Sequence, residues 1–218
     1  MDQDGRLCFH LLSLNIGGIK SNTYKGKEVR SGIEKESVLG KVTLSELGFA
    51  GDAQADLVHH GGPDKAVCLY SHNHYPHWEH VLNRQLPFGS FGENFTLRGV
   101  SEAEVYIGDE FQAGTSVVQI SQPRQPCWKL AMRWGLEQLP LLITESGATG
   151  FYFRVIQPGE VQAGDELRLT RRHPDRVTVA EANRVMYTDK HDQDSIRRLL
   201  AVNALSASWV ATLEKKVD

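Results

Sequence analysis

The run Val117-Val118-Gln119-Ile120-Ser121-Gln122-Pro123-Arg124-Gln125-Pro126-Cys127-Trp128-Lys129-Leu130 changes character twice. Its first five residues are rich in β-branched side chains and read as a strand. Pro123 and Pro126 each lack an N–H and fix φ, so the ladder is expected to stop there. From Cys127 onward, Trp128, Leu130, Ala131 and Trp134 fall on spacings that suit an amphipathic helix running to about Glu145. Cys127 is thereby expected where a strand ends and a helix begins, beside free backbone N–H groups and the positive end of the helix dipole. Arg124 and Lys129 add two cations. These features favour a thiolate that attacks electrophiles or binds a metal. A buried structural cysteine is the plainer fate of a free thiol, but apolar burial does not call for flanking cations.

Outward from this run the pattern is strand-rich. Residues 7 to 16, 42 to 44 and 66 to 70 read as strands, and Tyr24-Lys25-Gly26-Lys27-Glu28-Val29 reads as a hairpin centred on glycine. Ile107-Gly108-Asp109-Glu110-Phe111 and Ala163-Gly164-Asp165-Glu166-Leu167 are two tight turns, each feeding a strand. Pro76 suits the first position of a helix running to about Asn83. Many short strands with embedded helices predict a mostly β (α+β) fold, with a barrel-like β domain over residues 1–172.

After Arg171-Arg172-His173-Pro174 the character changes. Thr178-Val179-Ala180-Glu181 is a capping box. Asp192 or Asp194 can cap a second helix and Ser206 a third. Residues 173–218 are therefore expected to form a small three-helix domain that needs the barrel for stability. Its middle helix carries Arg197 and Arg198 side by side. Arg198 immediately precedes Leu199-Leu200, so it is expected to turn inward to the pocket edge, against the plainer reading of a solvated basic face.

The chain has 218 residues and a net charge of −3, which argues against general affinity for nucleic acid or anionic membranes. No apolar run approaches the ~20 residues that span a bilayer. Met1-Asp2-Gln3-Asp4-Gly5 is too acidic and polar for a secretory signal. Cys8, Cys68 and Cys127 form neither a disulfide framework nor a zinc spacing, which suits a reducing cytoplasm. Cys8 and Cys68 lie in apolar strand-like runs and are read as core.

Three further segments carry chemistry. Val58-His59-His60-Gly61-Gly62-Pro63-Asp64-Lys65 sets two glycines between a histidine pair and a charged pair, a turn or an anion cradle. Phe91-Gly92-Glu93-Asn94-Phe95 holds a carboxylate and an amide between aromatics, suited to the edge of a heterocycle. Ala148-Thr149-Gly150-Phe151-Tyr152-Phe153-Arg154 buries a guanidinium in an apolar strand, where a phosphate or carboxylate partner is expected. His72, His74, His77 and His80 suggest a metal site, but Pro76 interrupts their helical face and no cysteine is near.

The segments His60-Gly61-Gly62-Pro63-Asp64-Lys65, Phe91-Gly92-Glu93-Asn94, Gln122-Pro123-Arg124-x-Pro126-Cys127-x-Lys129-Leu130 and Gly150-Phe151-Tyr152-x-Arg154, in this order, resemble the MOSC family. That family is named for the C-terminal domain of molybdenum cofactor sulfurases, and the three-helix tail resembles its YiiM-type subgroup. The resemblance implies a mostly β barrel and a molybdenum cofactor (molybdopterin) whose metal is bound by Cys127, a soft ligand suited to it. It implies that the pterin phosphate meets Arg124, Arg154 and the Gly61-Gly62 nest. Lys35 matches a recurring lysine of the pocket. His60, Asp64, Lys65, Glu93, Asn94, Gln122 and Lys129 complete the cofactor-binding candidates, with Arg198 from the tail.

The implied activity is reduction of N-hydroxylated compounds, such as the nucleobase 6-hydroxylaminopurine. Electrons would come from a separate flavoprotein or iron–sulfur protein, because the chain has no dinucleotide fingerprint and no cysteine cluster. Two other functions fit the same thiol: a persulfide carrier, and a non-catalytic molybdopterin-binding or delivery protein.

Overall fold

Burial alternates along Cys8–Ile16, with Phe9, Leu11 and Leu14 inside, and this strand closes a barrel. The structure, a computed structural model, describes residues 7–57 and 60–217. The acidic N-terminal pentapeptide, together with Val58 and His59, lies outside the described residues. The elements in order are β1 (Cys8–Ile16), β2 (Lys20–Tyr24), β3 (Lys27–Ser31), β4 (Glu36–Ser37), β5 (Val42–Ser45), β6 (Gly48–Phe49), β7 (Val67–Ser71) and α1 (Tyr75–Leu82). They continue with β8 (Phe95–Arg98), β9 (Glu110–Ala113), β10 (Ser116–Pro123), α2 (Lys129–Trp134), α3 (Leu139–Ser146), β11 (Phe151–Gln157), β12 (Gly159–Val161) and β13 (Glu166–Arg171). The tail holds α4 (Val179–Tyr187), α5 (Gln193–Leu200) and α6 (Ala207–Leu213).

The barrel order is β13-β9-β10-β11-β7-β8-β1, and β1 pairs back onto β13 to leave no open edge. Within this ring β7 and β8 run parallel, and the other neighbours are antiparallel. Inward residues of alternate strands fill the interior, with the rings of Phe95, Phe111 and Phe153 meeting at its centre. A second apolar cluster lies outside the barrel wall. There Tyr70, Tyr75, Trp78, Phe91, Leu130, Leu139 and Ile143 pack α1, α2 and α3 against β7.

The tail helices start where their caps predict. Thr178, Asp192 and Ser206 each accept from the backbone N–H three residues on. Val185, Leu199, Trp209 and Leu213 join the barrel's own apolar cluster, so one core runs from the strands into the tail. Among the described residues no helix is long and apolar enough to cross a membrane.

Two local expectations need correction. β10 continues through Pro123, which pairs with Phe151. Arg124 N donates to Gly150 O, so the Pro123 nitrogen points away from β11, to the side where β9 has already ended. The helix expected from Cys127 to about Glu145 is two short ones. Gly135, at φ 69°, takes the left-handed conformation that terminates α2.

Candidate functional site

Strand alternation decides which side chains leave the barrel wall. Val67 and Leu69 of β7 point inward, as do Phe151 and Phe153 of β11. Cys68 and Tyr152 are therefore on the outer face, and the register pairs them directly. Four groups of residues close over this patch: the connector from β10 to α2, the loop before β8, the end of the β2–β3 hairpin, and residues 53–55 with His60 and Lys65. Together they form a cleft of about 590 Å³. Its walls carry the cations Lys35, Lys65, Arg124 and Lys129, and both Cys68 and Cys127 open into it. His60, Tyr152 and Asn94 complete the lining. A second lobe adjoins it, and Cys127, His60, Lys65, Gln125 and Tyr152 line both.

Arg124 is buried, and its Nη2 donates to the Phe91 carbonyl. Its Nη1 is buried with no hydrogen-bond partner among the described residues. Burial opposes its charge, but Cys68, Tyr152, Cys127 and Glu93 around it outweigh that, so its pKa lies above the ordinary value. The same cations act on His60. Burial first, then Lys129 and Arg124, lower its pKa to about 4, leaving a neutral imidazole at pH 7. Burial also lowers the Lys65 pKa, against the pull of Asp64 and Asp56. The Cys68 thiol is pushed up by burial above all, as is the phenol of Tyr152, its neighbour across the register. Cys68 is thus a protonated thiol at the floor of the cleft.

Cys127 lies two residues before α2, and its carbonyl accepts from Leu130 N at 3.0 Å. It is half-buried, at the junction of the two lobes. α2 is anchored by Arg133, which donates at 2.7 Å to the carbonyls of both Ile33 and Gly89, and by Trp134 Nε1 to Ser90 O.

The other expected site residues are placed as follows. Lys35 is buried on the cleft wall and pairs with Asp52, which also accepts from Asn94 Nδ2 at 3.0 Å and Gly17 N at 2.9 Å. Asn94 faces the cleft only in part, since its Oδ1 accepts from Cys68 N and its Nδ2 also reaches Asn15 O. Glu93 is not a cleft residue. Wholly buried, it accepts from Tyr75 OH, Gly89 N, Phe91 N and Thr96 Oγ1, and so holds its own loop.

Gly61 and Gly62 do not line the cleft either. Gly62, at φ 92°, makes the sharp entry to the turn Pro63–Lys65, and a Cβ on Gly61 would press on Leu57. Arg154 does not line the cleft and is satisfied by Asp64 and Gln119 Oε1. Asp64 is accordingly a structural partner rather than a cleft residue. Gln122 is buried under the second lobe, where its Oε1 accepts from Ser208 Oγ at 3.1 Å.

Arg198 is exposed and bonds Glu181 at 2.6 Å, and it lines neither lobe of the cleft. Ile196 and Leu199 set the inward face of α5, and a helical step from Leu199 swings Arg198 onto α4. The tail reaches the site through α6 instead, whose Ser208 and Thr212 line the second lobe. The histidines of 72–80 stay apart: among the described residues no three His, Cys, Asp or Glu side chains gather to hold a metal. His74 pairs with Glu102 at 2.9 Å, and His72 packs on Tyr75 and Phe88.

Cys68 and Tyr152 are the residues that sequence reasoning missed. Period-2 alternation in the Ala66–Tyr70 run carried the signal, since it places Cys68 opposite Val67 and Leu69.

Residues 56–168 match the MOSC domain, and residues 177–218 match the YiiM-like three-helix domain. The chain therefore belongs to the MOSC family. Its tail places it with the YiiM-type members. It is 47% identical over 210 residues to the uncharacterized protein YflK of Bacillus subtilis, covering 96% of this chain and 95% of that one. The crystal structure of YiiM from Geobacillus stearothermophilus superimposes with a TM-score of 0.83 at 36% identity, covering 96% of this chain and all of that one. A Gibberella moniliformis protein named a reductase is 33% identical over 181 residues, which are 81% of this chain and 32% of that one.

MOSC domains are associated in general with molybdenum cofactor binding. The donor set here fits such a group: a soft sulfur at Cys127, an orphaned guanidinium nitrogen on Arg124 and three lysines in one cleft.

Proposed function

We propose that this chain binds a molybdenum cofactor in the Cys127 cleft and reduces N-hydroxylated compounds, N-hydroxylated nucleobases among them. The observation that carries this reading is the buried Arg124 Nη1 without a partner, in the same cleft as Cys127. A buried donor left unpaired costs about 1–3 kcal/mol, and an anionic ligand removes that cost. Cys127 would hold the metal; Arg124, Lys129 and Lys35 would face the phosphate-bearing pterin. When bound, the cofactor supplies two-electron redox chemistry.

The chain's own part is to bind, orient and keep charge fixed around the reacting bond. In the overall reaction the N–O bond breaks, the oxygen leaves as water, and R–NHOH becomes R–NH2 with uptake of two electrons and two protons. The electrons come from a separate flavoprotein or iron–sulfur protein. His60, neutral at pH 7, offers a hydrogen bond rather than a charge beside the thiol. The reductase name of the Gibberella relative supports the reading, and three unpaired cysteines suit a reducing cytoplasm.

Anaerobically purified protein, supplied with a chemical reductant, tests the proposal. Conversion of 6-hydroxylaminopurine to adenine that depends on bound molybdenum is the expected result. Metal-free protein with an intact persulfide on Cys127 would replace the reductase by a sulfur carrier. Bound cofactor without turnover would leave a carrier of molybdopterin.

A further inference from the structure

The two lobes that meet at Cys127 differ in chemistry. The first is cationic, through Lys35, Arg124 and Lys129. The second lobe shares Lys65 with the first, and the residues that it alone contains, Asp56, Gln122, Pro126, Trp128, Ser208 and Thr212, add a carboxylate and no further cation. It spans about 1120 Å³, counting the space that opens to solvent. Trp128 is 47% exposed there, yet its indole is held fast. The Tyr24 ring stacks on it with centroids 5.7 Å apart and planes 24° apart. Tyr24 arrives on the tip of the β2–β3 hairpin, and its neighbour Lys25 is moored to Glu137 at 2.7 Å. An ordered hairpin thus fixes an indole that remains open to the lobe. The opposite wall is α6, where Ser208 and Thr212 are one turn apart on its outer face while Trp209 and Leu213 point to the core. Gln122 and these hydroxyls are neutral; Ser208 Oγ donates to Gln122 Oε1 and Thr212 Oγ1 to Ser208 O, which leaves the hydroxyl lone pairs to accept.

A fixed aromatic face with neutral acceptors opposite suits a planar nitrogen heterocycle, whose ring stacks and whose edge N–H groups donate. It suits a phosphate less than the first lobe does, since Asp56 stands with its one lysine while Lys35, Arg124 and Lys129 belong to the first lobe alone. We propose that the second lobe seats the ring of a heteroaromatic N-hydroxylated substrate, with Trp128 as its stacking platform and α6 as the edge reader. This rests on the reductase reading and assigns the tail a share in substrate choice.

The test uses the cofactor-loaded protein, the Trp128→Ala variant and a second variant, Thr212→Phe, which fills the lobe from an exposed helix face. Adenine, the product ring, is titrated calorimetrically. Turnover of 6-hydroxylaminopurine is compared with that of N-hydroxyurea, which has no ring to stack. The expected result is adenine binding weaker by about tenfold or more in both variants, since a base–aromatic stack is worth that much. KM for 6-hydroxylaminopurine rises by the same factor, while molybdenum content and N-hydroxyurea turnover stay unchanged. Equal adenine affinity in wild type and Thr212→Phe overturns the proposal. Loss of molybdenum in Trp128→Ala also overturns it, because the indole would then be holding the cofactor's own ring. Adenine binding that depends on Trp128, without any reduction, upholds the lobe and defeats the reductase reading instead.

Discussion

Arg154 clasps one oxygen of Asp64 twice, through Nε at 2.9 Å and Nη2 at 2.8 Å. The other Asp64 oxygen accepts from Ala207 N at 3.2 Å. A barrel strand, the turn after the glycine pair and the first residue of α6 are joined by this one carboxylate. Gln119 Oε1 takes the remaining reach of the guanidinium at 3.0 Å.

Arg154→Ala is therefore expected to act on stability and not on the cofactor. Both partners are partly solvated, so the loss should be about 1–2 kcal/mol. Urea unfolding gives the stability, and molybdenum per folded chain should match wild type. Loss of molybdenum with unchanged stability would return Arg154 to the list of ligands.

Glu93→Ala is expected to be the more damaging change. Its carboxylate satisfies two backbone N–H groups and two hydroxyls in a buried loop that forms one wall of the cleft. Leaving these donors unpaired should cost about 3 kcal/mol or more. A thermal midpoint close to wild type would show that the loop is held by other means.

His60 gives a pH signature. The unfolded chain protonates this ring as pH falls through about 6.5, whereas the folded chain does so only near about 4. Between these values the unfolded state binds more protons, so stability falls as pH drops through that window. Above it His60 contributes no pH dependence. Urea midpoints at about pH 7.5 and about pH 4.5 should differ less in His60→Gln than in wild type. An equal difference would place the titration elsewhere.

What the sequence made legible was local. The caps at Thr178, Asp192 and Ser206 depend on residues three apart, and the turn Lys25-Gly26 on two adjacent positive φ values. Cys127, Arg124 and Lys129 share one short segment, so their meeting in a cleft follows from chain connectivity. Lys35 and His60 join them through motif resemblance. Cys68 and Tyr152 were not legible as a pair, because only the β7–β11 register makes them neighbours. Arg154 misled because its partner Asp64 is 90 residues distant and no periodicity announces it. Arg198 was placed on the correct helix and the wrong face, since the α4 carboxylate that attracts it is a tertiary contact.

Arg124→Met separates function from stability. It removes a buried charge that lacks a full set of partners, so the thermal midpoint should hold or rise. Molybdenum retention should fall by about tenfold or more, because the replaced side chain can no longer pair with an anion. Retention equal to wild type would take the phosphate out of this corner of the cleft.

Cys127 is the residue on which the account turns, and Cys68 beside it is the built-in control. Both thiols open into one cleft, but Cys68 is buried and held protonated, whereas Cys127 stands where the lobes meet. The direct measurement is elemental analysis of anaerobically purified wild type, Cys127→Ser and Cys68→Ser. Stoichiometric molybdenum is expected in wild type and Cys68→Ser, and none in a folded Cys127→Ser. Molybdenum retained at the wild-type level in Cys127→Ser would contradict it.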